Sequence, residues 1–347
     1  MTDHHDDPTT VPRSLDEPRA ALQEALYEIK RVIVGQDAML ERLLVSLLAG
    51  GHVLLEGVPG LAKTLTVKTL AETLGGSFRR IQFTPDLVPA DLVGTRVFRP
   101  DNGAFDISLG PVFTNFLLAD EINRAPAKVQ SALLEVMQER QVTIAGNTYP
   151  VPRPFIVLAT QNPIESEGTY PLPEAQVDRF LMKIVVDYPT EGEEAAVVGR
   201  SLAPAVDVRT TLDLASLERH AAATREVIVD RAVIGYAVAL ATATREPAAH
   251  GLAEIAPLIE YGASPRGPIG LVHAARVLAM LRGRGHVTVA DVRDLAPDVL
   301  RHRLVLSYDA LAEGVTADDL LKKVLDTVPE PGTRGLSYDD AARREVA

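Results

Sequence analysis

Lys63 and Thr64 close a run that reads Gly57-Val58-Pro59-Gly60-Leu61-Ala62-Lys63-Thr64. The run follows a short apolar stretch, residues 52–56, whose pattern predicts a strand. A strand, a Gly-rich turn and then Lys-Thr present backbone N–H groups to phosphate at a helix N-terminus. On that chemistry Lys63 neutralises the β- and γ-phosphates of ATP, and the Thr64 hydroxyl binds Mg2+. Residues 57–64, with Leu65 next in the helix, are the candidate nucleotide cradle. Ala62 stands where the G-x-x-x-x-G-K-[ST] pattern has its last glycine. Alanine suits the position if that residue has already entered the helical region of φ/ψ, where glycine has no advantage. On its own the segment is equally compatible with a Gly/Pro turn before a helix.

A second motif makes the first more specific. Residues 115–119 form an almost unbroken apolar run that ends in Asp120-Glu121. A buried parallel strand reads as continuous apolar residues, and ligands sit beyond its carboxyl end. Asp120 then holds Mg2+ through water, and Glu121 polarises the attacking water. An isolated Asp-Glu would read as a solvated acidic turn. This pair stands 57 residues after Lys63, with a strand between, and the two motifs together point to ATP binding.

These groups need a scaffold, and strands alternate with helices around them. Apolar runs predict strands near 53–56, 79–83, 115–119, 155–160 and 181–186. Helical spacing predicts helices at 63–74, 126–139 and around 173–178. Two more helices precede them. One spans about 18–30 on Leu22, Leu26 and Ile29; the other starts near Gln36 on Met39, Leu43, Leu44 and Leu47. The alternation implies a parallel sheet covered on both faces. Two hairpin signals interrupt it, Asp101-Asn-Gly103 within 96–109 and Ala145-Gly-Asn147 within 141–151. Either is also compatible with surface decoration.

After Pro189 the character changes. Residues 191–328 are rich in Ala, Leu and Val at helical spacing, clearest over 230–245, 268–281 and 290–300. The expected organisation is a disordered acidic tail (1–17), a nucleotide-binding α/β core (18–189), an all-helical domain (190–330) and a second tail (331–347).

The composition narrows the function classes. The 347 residues suffice for two or three domains. No cysteine is present, which excludes disulfides, zinc-thiolate sites and a cysteine nucleophile. No apolar run is long enough for a membrane span, and the N-terminus lacks a signal-peptide core. These features fit a cytoplasmic protein. The net charge of −12, without a Lys/Arg cluster, argues against a nucleic-acid partner.

Further along, the run 155–159 ends in Thr160-Gln-Asn162-Pro163. A strand lying between the other two motifs would deliver its end to the γ-phosphate, where Asn162 suits positioning of the lytic water. Asn-Pro is also an ordinary turn initiator. Arg179 and Arg266 are each able to stabilise charge on a transferring phosphoryl group, in cis or from a neighbour. Among 28 arginines, either is equally readable as a surface ion pair.

Taken together, Ile33-Val-Gly-Gln36, Gly57 to Thr64, Phe83-Thr-Pro-Asp86, Ala119-Asp-Glu-Ile-Asn-Arg-Ala-Pro126, Ala159-Thr-Gln-Asn-Pro163, Glu174 to Phe180, Gly262 to Arg266 and Leu300-Arg-His-Arg303 closely resemble the MoxR family of AAA+ ATPases. The resemblance covers roughly residues 20–332. It implies an AAA+ core with a five-stranded parallel sheet of order 5-1-4-3-2 and a C-terminal helical lid. The hairpin at 96–109 would be a helix-2 insert, and that at 141–151 a pre-sensor-1 hairpin. Val34 and Gly35 would lie near the adenine. Asn162 would be sensor 1, Arg179 a trans-acting arginine finger and Arg266 sensor 2. The implied assembly is a hexameric ring with chaperone-like action on protein clients, working with von Willebrand factor A domain proteins. Gly267-Pro268-Ile269 departs from the alanine-rich helix start of the family, which leaves that helix boundary open. Asn123-Arg124 matches the family without an assigned role.

Three other functions share parts of this pattern. A magnesium-chelatase-type motor subunit has the same fold and insertions. A minichromosome-maintenance-type helicase also has both hairpins but needs basic tips, whereas 100–104 and 145–148 contain no Lys or Arg. A nucleotide-binding scaffold that does not hydrolyse would not need Glu121.

Overall fold

Five strands that are far apart in sequence lie side by side in the computed structural model, which describes residues 15–58, 60–101, 103–162, 168–204 and 206–332. Most of both expected tails falls outside these residues. Where the first is described it is not a tail, because Asp16 and Glu17 already form the acidic first turn of a helix.

In chain order the elements begin with α1 (Asp16–Lys30), α2 (Asp37–Leu48), β1 (Val53–Glu56), α3 (Lys63–Thr73), β2 (Phe78–Gln82) and α4 (Pro89–Val93). A hairpin of β3 (Gly94–Arg99) and β4 (Ala104–Leu109) follows, then β5 (Phe116–Asp120) and α5 (Ala127–Glu139). A second hairpin, β6 (Gln141–Ile144) and β7 (Asn147–Pro150), precedes β8 (Ile156–Gln161), α6 (Glu174–Val177), β9 (Met182–Val185), α7 (Glu191–Ser201) and α8 (Leu214–Ala223). Asn102, at the first hairpin tip, lies outside the described residues.

The main sheet has the order β2-β5-β8-β1-β9, and all four of its ladders are parallel. Numbered along the chain, its strands run 5-1-4-3-2 across the sheet, as the resemblance implied. The inner strands β1, β5 and β8 are buried except at their final residues, the pattern of a sheet covered on both faces. β2 forms one edge and exposes Arg79, Arg80 and Gln82. One side of the core gathers Leu54, Leu117, Ala119, Leu133, Met137, Val157 and Phe180, each almost free of solvent.

Two buried polar groups tie separate segments of the chain together. Glu28 of α1 accepts the Arg209 backbone N–H at 3.0 Å and an Arg31 N–H on Oε1, and Arg209 Nη2 at 2.9 Å on Oε2. The Arg209 guanidinium holds the Glu28 carboxyl down at about 2. His52, just before β1, accepts from the Val157 N–H through Nδ1 and donates from Nε2 to the Met137 carbonyl. Burial lowers its pKa to about 4.

The chain divides into two compact units, Ala20–Ala221 and residues 15–19 with 222–332. The second contains α9 (Arg231–Arg245), β10 (Ile259–Tyr261), α10 (Arg266–Leu281), α11 (Val289–Leu300), β11 (Val305–Leu306), α12 (Tyr308–Ala312) and α13 (Ala317–Thr327). It is not all-helical, because β10 and β11 pair antiparallel. Segments of three and two residues are too short to show a strand period in sequence. α10 begins at Arg266, two residues before the expected start. Pro268 is tolerated in its first turn, where a backbone N–H has no helical partner to lose.

Candidate functional site

Strand register assembles the site. Ala119 pairs with Ala159 across β5 and β8, so Asp120 and Thr160 emerge side by side. Gln82 pairs with Asp120 across β2 and β5, and the strand period of two puts Arg80 on the same face as Gln82. β1, next to β8, leads into the loop at Gly57. A cleft of about 420 Å3 results at the carboxyl ends of the strands. It brings together ten of the expected residues: Gly57, Gly60, Leu61, Ala62, Lys63, Thr64, Leu65, Asp120, Glu121 and Asn162.

The loop is shaped by residues that lack bulk. A Cβ on Gly57 would stand 2.7 Å from the Val186 carbonyl oxygen, and Gly60 has φ of +90°. Val58 is half-buried, and Pro59 lies outside the described residues. Ala62 differs from its expected helical conformation. It has φ of 54° and ψ of 19°, in the left-handed region. The turn into α3 imposes that geometry, at a cost of about 1–2 kcal/mol for a residue with a Cβ. The small side chain is exposed, and the Ala62 carbonyl accepts the Thr66 N–H at 2.9 Å.

Lys63 folds over the loop, donating from Nζ to the Gly57 carbonyl at 2.6 Å. Burial lowers its pKa, against the opposing pull of Asp120, Glu121 and Glu56. The ammonium therefore faces the acidic side of the cleft.

The two carboxylates are held separately. Thr160 Oγ1 donates to Asp120 Oδ1 at 2.6 Å and accepts the Glu121 N–H at 2.8 Å. Arg80 donates to Asp120 Oδ2 from Nη2 at 2.6 Å and from Nε at 3.0 Å. Glu121 Oε2 accepts from Gln82 at 2.8 Å and from Arg124 at 3.1 Å. Glu121 itself has φ of 56° and ψ of 50°, a strained conformation of the kind found where a side chain must be aimed. Arg80 and Gln82, and the roles of Thr160 and Arg124, escaped the sequence reading. The available signal was the polar alternation at Arg80 and Gln82 on a strand beside Asp120.

Val34, Gly35 and Arg179 are not among the residues that line the cleft. Gly35 has φ of +63°, and a side chain there would run into Glu193. Val34 precedes it. Arg179 follows α6, is half-exposed, and its guanidinium makes no ion pair among the described residues. Arg266 opens α10 in the second unit, where its N–H donates to Ser264 Oγ at 3.1 Å.

The oxygen donors Thr64 and Asp120, beside space for phosphates, suit Mg2+, which takes one or two protein ligands and keeps water and phosphate for the rest. No cluster of three or more His, Cys, Asp or Glu able to hold a metal by itself occurs among the described residues.

Known proteins resemble this chain in sequence and in fold. Residues 52–182 match the model of the ATPase family associated with various cellular activities, and residues 252–324 match that of the AAA lid domain. The chain is 56% identical over 313 residues to Chaperone MoxR1 of Mycobacterium tuberculosis, covering 89% of this chain and 82% of the relative. It belongs to the MoxR family of AAA+ ATPases. Protein MoxR of Methylorubrum extorquens is 32% identical, over 88% of this chain and 93% of its own. The crystal structure of a Cytophaga hutchinsonii protein, named as a candidate ATPase, superposes with a TM-score of 0.87 at 46% identity, covering 91% of this chain and 96% of that one. A magnesium-chelatase subunit of Acidiphilium rubrum is more distant, at 29% over 67% of this chain. As a MoxR-family member the protein is a nucleotide-binding ATPase with a core and a lid. Among the described residues, no helix is long and apolar enough to cross a membrane.

Proposed function

We propose that this MoxR-family ATPase hydrolyses MgATP in the cleft between residues 57–65 and the ends of β5 and β8, and that turnover remodels protein clients. The observation that carries the reading is the convergence of Lys63, Asp120, Glu121 and Asn162 on one cleft. Lys63 and the loop N–H groups bind the β- and γ-phosphates. Thr64 and Asp120 would hold Mg2+, which neutralises charge on the phosphoryl group as it transfers. Glu121 accepts a proton from the attacking water, and Asn162 orients that water. Val34 and Gly35 lie near the adenine in this reading.

Arg179 reaches the nucleotide of a neighbouring protomer, and Arg266 reaches its own from the lid. The assembly is a homo-hexameric ring, and the functional border between core and lid lies at residues 189–190. Client remodelling is supported by the chaperone name of the relative that shares 56% of its residues over the matched region. A von Willebrand factor A domain protein is the expected partner, nucleic acid is not, and the site of action is the cytoplasm. Release of phosphate from ATP by the purified chain, lost on removing Mg2+, tests the reading. A chain that neither binds ATP nor releases phosphate overturns it.

A further inference from the structure

The guanidinium of Arg80 lies where it competes with a metal. It sits on the edge strand β2, half-exposed, and lines the nucleotide cleft. Its fork grips Asp120 Oδ2 through Nη2 at 2.6 Å and Nε at 3.0 Å. The other carboxylate oxygen is committed to Thr160 at 2.6 Å. Arg80 thus fills both acceptor positions of Oδ2, and Thr160 fills one of the two on Oδ1. Arg80 Nη2 also donates to Gln82 Oε1 at 2.9 Å, and Gln82 Nε2 donates to Glu121 Oε2 at 2.8 Å. The two acidic residues of the cleft are thus joined through one arginine.

We infer that Arg80 is a positioning residue that pairs with Asp120 and yields it to Mg2+, so that Arg80 pairing and Mg2+ binding compete for this carboxylate. This rests on the cleft being an Mg-nucleotide site. Arg80 offsets the charge of Asp120, as Arg124 does that of Glu121, and sets how much Mg2+ is needed to engage Asp120. The apparent affinity of a ligand falls in proportion to the fraction of molecules whose site is open to it. A carboxylate released in one molecule in ten would raise the Mg2+ requirement about tenfold. When Arg80 leaves, Gln82 loses its donor, so the exchange at Asp120 is transmitted to the group that holds Glu121.

The test titrates free Mg2+ against the affinity for a fluorescent, non-hydrolysable ATP analogue. Wild type, Arg80→Gln, Arg80→Lys and Asp120→Asn are compared, with thermal melts to confirm folding. Arg80→Gln should reach half of the Mg2+ effect at about three- to tenfold lower Mg2+. Arg80→Lys keeps the charge but loses the fork and should fall between Arg80→Gln and wild type. It also carries the test if Arg80→Gln does not fold. In the Asp120→Asn background, Arg80→Gln should produce no further shift. An unchanged or higher Mg2+ requirement in the folded Arg80 variants overturns the inference while leaving the nucleotide site intact. Absence of analogue binding to wild type at every Mg2+ concentration overturns both.

Discussion

Thr160 Oγ1 donates to Asp120 Oδ1 at 2.6 Å, and the same oxygen accepts the Glu121 N–H at 2.8 Å. One buried hydroxyl on β8 thus fixes both acidic residues at the end of β5. Thr160→Val removes it with little change of shape. It should leave a buried N–H unpaired, at a cost of about 1–3 kcal/mol, and free Glu121 from its left-handed geometry. ATP turnover should fall by about ten- to a hundredfold, the effect of misaimed carboxylates that raise the barrier by about 1.4–2.8 kcal/mol. Steady-state phosphate release and a thermal melt on the same sample check this. A variant that melts lower but turns over normally would confine Thr160 to a structural role.

Arg179 makes the assembly testable. A cation supplied in trans is worth roughly 10³–10⁵ in rate in other phosphoryl-transfer systems, whereas an exposed ion pair contributes about 0–1 kcal/mol to stability. Arg179→Ala should abolish turnover with ATP affinity nearly unchanged. Mixing it with inactive Lys63→Ala should restore part of the activity, because some interfaces then pair an intact loop with an intact arginine. Full activity of Arg179→Ala alone, or a dead mixture with confirmed co-assembly, counts against the trans role.

His52 predicts a pH dependence. Its Nδ1 accepts the Val157 N–H, so the ring is neutral with its proton on Nε2, facing the Met137 carbonyl. Burial lowers its pKa from 6.5 to about 4. The unfolded chain therefore binds the proton first as the pH falls. Stability should drop between about pH 6.5 and 4, by roughly 3 kcal/mol over the whole window. Glu28, held at about 2 against an ordinary 4.5, adds a separate loss below that ordinary value. Urea unfolding across this range should show the upper slope in wild type and a flattened one in His52→Gln. Identical slopes would remove His52 as the cause.

Much of this was readable in the chain because burial writes itself into residue type. β5 and β8 appear as apolar runs since both faces of the sheet are covered, and each expected strand lies within a residue of the observed one. The hairpins were legible from Gly and Asn at their turns. The left-handed φ of Ala62 was not, because the path of the loop sets it and not the residue type. Nor were the partners of Asp120. Arg80 and Thr160 reach it from strands that are neighbours in space, each 40 residues away in the chain. The strand pair β10–β11 is too short to carry a period.

The central claim is that Lys63 binds the phosphates and Glu121 drives hydrolysis in one cleft. The most direct measurement incubates wild type, Lys63→Ala and Glu121→Gln with ATP and Mg2+, then separates and identifies the nucleotide that stays bound. Wild type should retain ADP, and Lys63→Ala nothing. Glu121→Gln should retain intact ATP and release no phosphate. A Glu121→Gln protein that converts ATP at the wild-type rate, or a Lys63→Ala protein that binds ATP normally, would contradict the account.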